Sequence, residues 1–268
     1  MKLDNRSVLF LVVDSCRYDT FIEADLPNFR KLGTIHRAQA PSYFTFASHA
    51  AMFVGFTPGL AEVRKPLLNP KFGKIFKIHG AGWPTKGGEG FLLQGRSIME
   101  GFKHLGYAVL GTGAVGWFDT QTPTGKLLTS DFDEFFYLAS PSSLSRQLAW
   151  VGDRLAAHAG KPVFLFINTG ETHVPYFHEN APWSSSDNPC VPFQKIDRSE
   201  DCRFRQRACI EYVDRQLGNL LDYFANASIV VCSDHGDCWG EDGLWEHGIS
   251  HEMTLTVPLI VRLANGQK

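Results

Sequence analysis

The chain has 268 residues, 44% of them hydrophobic, which is enough apolar side chain for a substantial buried core. Its 26 basic and 28 acidic residues give a formal net charge of -2. Both signs are interspersed without a long single-sign block, which excludes a nucleic-acid or polyanion binder that works by bulk charge.

Met1 to Arg6 has mixed charge and precedes an apolar run of only Val8 to Val13, far short of a bilayer span. Neither a signal peptide nor a membrane anchor is expected, and the protein is expected in the cytoplasm. Ser7 to Val13 reads as a buried strand that runs directly into Asp14-Ser15-Cys16-Arg17-Tyr18-Asp19. An acidic residue at the carboxyl end of such a strand sits where open α/β sheets bind ligands, or else caps a following helix. Asp19 to Leu32 looks helical in its second half, with Pro27 early and Gly33 at the end. In Ala40 to Gly55 the apolar spacing predicts a helix from about Ser48 to Val54, with Thr45 at its mouth. A hydroxyl there is placed to attack a phosphoryl group, because helix N-terminal N–H groups favour anionic oxygens; its alternative role is an N-cap.

Residues 56 to 92 are rich in Gly, Pro and Lys and read as a long loop over the sheet edge, in which Lys86 is a candidate contact for an anionic substrate. Ser97 to Leu105 is a predicted helix and Tyr107 to Leu110 a short strand. The glycine run from Gly111 to Gly116 suggests a phosphate cradle but lacks the Lys-Ser/Thr of a P-loop and the spacing of a dinucleotide fingerprint. Ser143 to Ala159 carries apolar residues near a period of 3.6, and Val163 to Ile167 is a buried strand leading to Asn168 through Tyr176, which include Glu171 and His173. The polar stretch from Ser184 to Asp201, with Cys190 and Cys202, is expected to be a mobile surface excursion or lid. Arg207 to Phe224 is an amphipathic helix leading to the strand at Ile229 to Val231, which ends in Ser233-Asp234-His235-Gly236-Asp237 and, further on, Trp245-Glu246-His247-Gly248. Asp plus His after a buried strand is a ligand set suited to a divalent cation, or a solvated turn in which Asp234 is a cap. Thr254 to Arg262 is a last strand, and the six cysteines form no CxxC pair, so reduced thiols are expected.

Strands alternate with helices, so the predicted fold is α/β, one domain over 1–268 with a mostly parallel central sheet and helices on both faces. The ordered motifs resemble the alkaline phosphatase superfamily, in its sulfatase-like metalloenzyme branch. The resemblance rests on Val12 to Asp19, on Leu26 to Leu32, on Thr45-Phe46-Ala47-Ser48-His49, on Glu171 to Tyr176, and on Tyr212 to Gly218 followed by Ser233 to Asp237. It implies one divalent metal, Zn or Mn, on Asp14, Thr45, Asp234 and His235, with the Thr45 hydroxyl as nucleophile. It also implies His173 at the leaving group and His247 on the transferred group, and Arg17 and Lys86 are taken as substrate-binding residues. A second metal on Glu171, His173 and His247 is compatible with the sequence.

The departures from the family pattern narrow the reading. Sulfatases convert Cys or Ser at the nucleophile position to formylglycine, and this chain has Thr45. The resemblance therefore implies hydrolysis of a small-molecule phosphate or phosphonate ester through a phosphothreonine, with a phosphoryl or phosphoethanolamine transferase, or a sulfatase-like protein without activity, as alternatives. The sulfatase C-terminal subdomain is expected to be lacking. No nucleic-acid or membrane partner is expected.

Overall fold

The structure, a computed structural model, describes residues 6–55 and 95–264. In chain order its elements are β1 (Val8–Val13), α1 (Tyr18–Glu23), α2 (Pro27–Arg30), β2 (His36–Gln39), α3 (Thr45–Val54), α4 (Ile98–His104), β3 (Ala108–Gly113), α5 (Pro123–Thr129), β4 (Glu134–Tyr137) and α6 (Leu144–Ala157). They continue with β5 (Val163–Thr169), α7 (Ser199–Tyr223), β6 (Ser228–Cys232), β7 (Cys238–Trp239), β8 (Trp245–Glu246), α8 (Glu252–Leu255) and β9 (Thr256–Arg262).

Seven strands form one sheet in the order β2-β9-β6-β1-β5-β3-β4. Strands β6, β1, β5, β3 and β4 run parallel, and β9 and β2 close one side antiparallel. The central β1 is buried because successive side chains point to opposite faces and each face is covered. Leu9, Leu11 and Val13 pack with Phe21, Phe29, Val151, Ile210, Val213 and Leu217, from α1, α2, α6 and α7. Phe10 and Val12 face the other side, with Phe46 and Phe53 of α3, Met99 of α4 and Leu128 of α5. The fold is thus the predicted mostly parallel α/β sheet with helices on both faces. The loop region 56–92, including Lys86, lies outside the described residues.

Several local expectations change. Gly111 and Gly113 belong to β3 rather than to a phosphate-binding turn. A Cβ at Gly111 would meet Phe132 and Phe135, and one at Gly113 would meet Phe118, so these glycines make room for aromatic rings laid across the strand. Gly236 is likewise required by close approach, because a Cβ there would collide with the Met253 carbonyl. Helix α7 starts at Ser199, two turns before the predicted start, and takes in the end of the polar excursion. That excursion is tied down: Arg198 and Arg205 pair with Asp187 at 2.8 and 2.5 Å, and Arg205 also pairs with Asp201 at 2.7 Å. Among the described residues no helix is long and apolar enough to cross a membrane.

Candidate metal centre and its histidine wall

β1, β5 and β6 lie side by side and parallel, so their carboxyl ends open on the same edge of the sheet. Asp14 follows β1, Asn168 and Thr169 end β5, and Asp234 and His235 follow β6. In open α/β sheets this edge is where ligands bind. Thr45 is the first residue of α3, and its Oγ1 lies 3.3 Å from His235 Nε2. The structure therefore brings Asp14, Thr45, Asp234 and His235 together, and all four are fully buried.

The ligand candidates are held by hydrogen bonds from the residues around them. The Asp14 carboxylate accepts from Asn168 Nδ2 at 3.0 Å and from Ser15 Oγ at 3.2 Å. Ser15 takes a left-handed backbone (φ +58°), and its N–H donates to Asp234 Oδ1 at 3.1 Å. Asp234 Oδ1 also accepts from the His235 N–H at 3.0 Å, which leaves Oδ2 buried without a partner. His235 Nδ1 lies 3.0 Å from the Gly236 carbonyl, which only accepts, so Nδ1 carries the proton and the Nε2 lone pair faces Thr45, Asp14 and Asp234.

The electrostatics suit a cation. Burial, and the charge of Asp234 beside it, push the Asp14 carboxyl up; burial also raises Asp234. Burial and the neighbouring His247 push the His235 imidazole down to about 4, so it is neutral near pH 7 and its lone pair is available. One ligand atom from each of Asp14, Asp234 and His235 falls within a 4.8 Å cluster. Two carboxylates that close repel by on the order of 3 kcal/mol at an effective dielectric of 20. The unpartnered Asp234 oxygen, the two carboxylates and the unprotonated imidazole nitrogen together fit a divalent metal.

A wall of histidines stands beside this cluster. The His247 ring centroid lies 4.5 Å from that of His235 and 5.1 Å from that of His173. His247 Nδ1 is 2.8 Å from Asp237 Oδ1, and Asp237 Oδ2 accepts from the Tyr176 hydroxyl at 2.8 Å. Trp239 Nε1 donates to that hydroxyl in turn, also at 2.8 Å. Burial alone would lower His247, but the hydrogen bond and charge of Asp237, with Glu246 and Asp14, hold it up at about 9. His173 Nδ1 is 2.8 Å from the Val174 carbonyl, so its other ring nitrogen is left for a ligand.

Two expected contacts fall elsewhere. The guanidinium of Arg17 is 2% exposed and committed to Asp19 at 2.6 Å, Glu241 at 2.7 Å and the face of Trp239 at 4.1 Å. It locks the first turn of α1 to the β7 region. Glu171 does not join His173 and His247; its carboxylate accepts from Leu144 N at 2.9 Å, at the start of α6. Among the described residues, a second set of ligand atoms is offered by His235, Asp237 and His247.

The residues whose roles sequence reasoning missed are Asn168, Asp237 and His49. His49 lies one helical turn after Thr45, and its Nδ1 is 2.8 Å from the Thr45 carbonyl and 3.7 Å from Asp234 Oδ2. Its ring is boxed edge-on by Phe53, Phe118 and Phe166. The i to i+4 spacing in Thr45-Phe46-Ala47-Ser48-His49 was the available signal.

This sheet, with acidic residues and a histidine at the ends of its central strands, defines an alkaline-phosphatase-like fold. The Sulfatase family model matches residues 88–268, and the chain belongs to that family. Among solved structures it is similar to the C-terminal periplasmic domain of EcEptC from Escherichia coli in complex with Zn, with a TM-score of 0.65 and 12% identity over 97% of this chain and 73% of that one. It is similar also to the soluble domain of lipooligosaccharide phosphoethanolamine transferase A from Neisseria meningitidis, with a TM-score of 0.62 and 14% identity over 98% of this chain and 78% of that one. A choline-sulfatase of Rhizobium meliloti is 33% identical over 93 residues, which are 31% of this chain and 18% of that protein. The chain thus matches less than a fifth of that relative's length.

Proposed function

We propose that this chain is a metal-dependent hydrolase of phosphate or phosphonate esters that works through a phosphothreonine on Thr45. The observation that carries the reading is the Thr45 hydroxyl at a helix start, 3.3 Å from His235 Nε2 and beside two buried carboxylates. Asp14, Asp234, His235 and Thr45 would hold one divalent ion, Zn or Mn. Such an ion lowers the pKa of the hydroxyl and offsets charge on the transferred group.

The residues of the chain supply the remaining steps. His247, carrying a proton, pairs with an anionic oxygen of the substrate, and Asp237 fixes its ring. Thr45 Oγ1, having released its proton to solvent, attacks phosphorus, and the bond to the ester oxygen breaks. In its doubly protonated form His173 gives a proton to that leaving oxygen through the ring nitrogen that the Val174 carbonyl does not occupy. Water then attacks the phosphothreonine and gives a proton back to His173; the bond from phosphorus to Oγ1 breaks, inorganic phosphate leaves, and Oγ1 takes up a proton from solvent. In a second reading an acceptor hydroxyl or amine replaces water, and the shared fold of the phosphoethanolamine transferases favours it. A third reading keeps the fold without activity.

Turnover of an aryl phosphate by the Zn- or Mn-loaded protein tests the proposal. Thr45→Ala is expected to lower kcat by about 1000-fold or more, with loss of the phosphorylated Thr45 peptide in a quenched reaction. A Thr45→Ala protein that keeps full activity removes the nucleophile. Product analysis with ethanolamine or glycerol present separates hydrolysis from transfer.

A further inference from the structure

Helix α3 carries two fully buried polar side chains, Ser48 and His49, that take no part in the reaction described above. They lie three and four residues after Thr45, and so on the side of the helix that Thr45 occupies. Ser48 Oγ donates to the Asp234 carbonyl at 2.7 Å, which ties the first turn of α3 to the loop after β6. His49 Nδ1 lies 2.8 Å from the Thr45 carbonyl and 3.7 Å from Asp234 Oδ2. A carbonyl only accepts, so Nδ1 carries the proton. The other nitrogen, Nε2, is buried without a hydrogen-bond partner among the described residues, in a ring boxed edge-on by Phe53, Phe118 and Phe166. A buried nitrogen without a partner is unfavourable and a leucine would avoid it, so what the ring contributes is its Nδ1–H.

We propose that His49 is a positioning residue, whose Nδ1–H holds the Thr45 peptide and the Asp234 carboxylate so that the Thr45 hydroxyl and Asp234 Oδ2 converge on one cation, a role that rests on the metal-dependent reading of the site given above. The link to Thr45 is mechanical. Threonine is β-branched and stiff at χ1, so fixing its backbone fixes where Oγ1 points. The link to Asp234 is electrostatic. At 3.7 Å, beyond hydrogen-bond distance, the positive end of the Nδ1–H attracts Oδ2 without using its lone pairs, which stay open to a cation.

Geometry sets aside two other roles for the ring. Nδ1 is not a metal ligand, because its proton is directed at the Thr45 carbonyl. Nε2 is not the base that deprotonates Thr45, because it has no hydrogen-bond partner, whereas the Thr45 hydroxyl lies beside His235. Ser48 and His49 thus grip Asp234 from the same helix turn, one at its main chain and one beside its carboxylate, and His49 alone also reaches back to the nucleophile.

Two polar variants separate this role from the filling of space. In His49→Asn the side-chain amide nitrogen takes the place of Nδ1, and in His49→Gln it takes the place of Nε2, although Gln is closer to His in size. Zn affinity is measured by competition with a chromophoric chelator, and kcat and KM for an aryl phosphate are measured on the Zn-loaded proteins, with the Tm of each stripped protein as the check on folding. His49→Gln and His49→Leu are expected to bind Zn about 10-fold more weakly and to lose about 10- to 100-fold in kcat with little change in KM, while His49→Asn stays within about 3-fold of the native chain in both Zn affinity and kcat. A His49→Gln protein that retains more Zn affinity and kcat than His49→Asn, or a His49→Leu protein equal to the native chain in both, overturns the inference. Native protein that binds Zn and turns over no phosphate ester removes the hydrolase reading instead, and the Zn affinities of the variants then decide the role of His49. The Asn and Gln pair carries the comparison if His49→Leu does not fold.

Discussion

Asp237 shows how one carboxylate sets the working charge of the site. It is fully buried, yet its pKa is lowered: burial pushes it up, and the bond and charge of His247 outweigh that. The two groups therefore hold each other ionised. His247 is raised to about 9, so it is charged below that pH and loses its charge above it. In the proposed reaction, kcat/KM for an aryl phosphate should fall as pH passes about 9. Asp237→Asn removes the partner and returns His247 toward its ordinary value near 6.5, so activity at about pH 8 should drop about 30-fold, with a smaller loss near pH 6. An unchanged alkaline limb in Asp237→Asn would show that His247 does not carry the charge. Asp14 and Asp234 were legible in the sequence, since each ends a β-branched apolar run where a solvated residue would be out of place. Asp237 could be seen but its role could not, because the loop that returns His247 to it has no periodicity to read.

At the scale of elements, the same logic separates what was readable from what was not. Helix α6 was found within two residues, because Leu144, Val151 and Leu155 mark its buried face. Strand β2, His-Arg-Ala-Gln, was missed, since it is a mostly exposed edge strand with no apolar alternation. The predicted strand stopped at Leu110 and the glycine run after it suggested a phosphate cradle, because glycine is a poor strand former; only the tertiary fold shows Phe118, Phe132 and Phe135 over Gly111 and Gly113. Glu171 joins two correctly read elements through a contact that no pattern shows: it follows β5 and accepts from Leu144 N at the start of α6. Burial raises it to about 7 against the backbone N–H bonds that lower it, and its second oxygen has no partner. Its folded-state pKa exceeds the unfolded value of 4.5, so its contribution is full below pH 4.5 and is lost as pH rises through about 7. The size of that loss is at most roughly 3 kcal/mol. Glu171→Gln keeps the acceptor and removes the titration. Between about pH 5 and 8 its Tm should fall several degrees less than that of the native chain. Parallel curves for the two proteins would mean that the carboxyl is not neutral in the fold.

Across the whole molecule, the sheet concentrates unfavourable charge at one point. The parallel strands β1 and β6 deliver Asp14 and Asp234 to the same edge, α3 roofs them with Thr45, and aromatic rings behind His49 exclude water. An arrangement that repels itself without a cation should gain stability from one. A ligand at about 100 times its Kd adds about 2.7 kcal/mol, which in a domain of this size is a rise of roughly 5–10 °C in Tm. Zn or Mn added to protein stripped with a chelator is expected to give such a rise, and the chelator to reverse it. Asp234→Asn should change both the stability of the stripped protein and its response to the ion. By removing one of two neighbouring buried charges it should stabilise the stripped protein by about 1–3 kcal/mol at most, and so raise its Tm, while abolishing the response to metal. That crossing of stability and metal response distinguishes a built metal site from an adventitious one on the surface. If Asp234→Asn kept the full metal-induced rise, the cation would be bound elsewhere, and the Thr45 chemistry would lose the ligand set on which it depends.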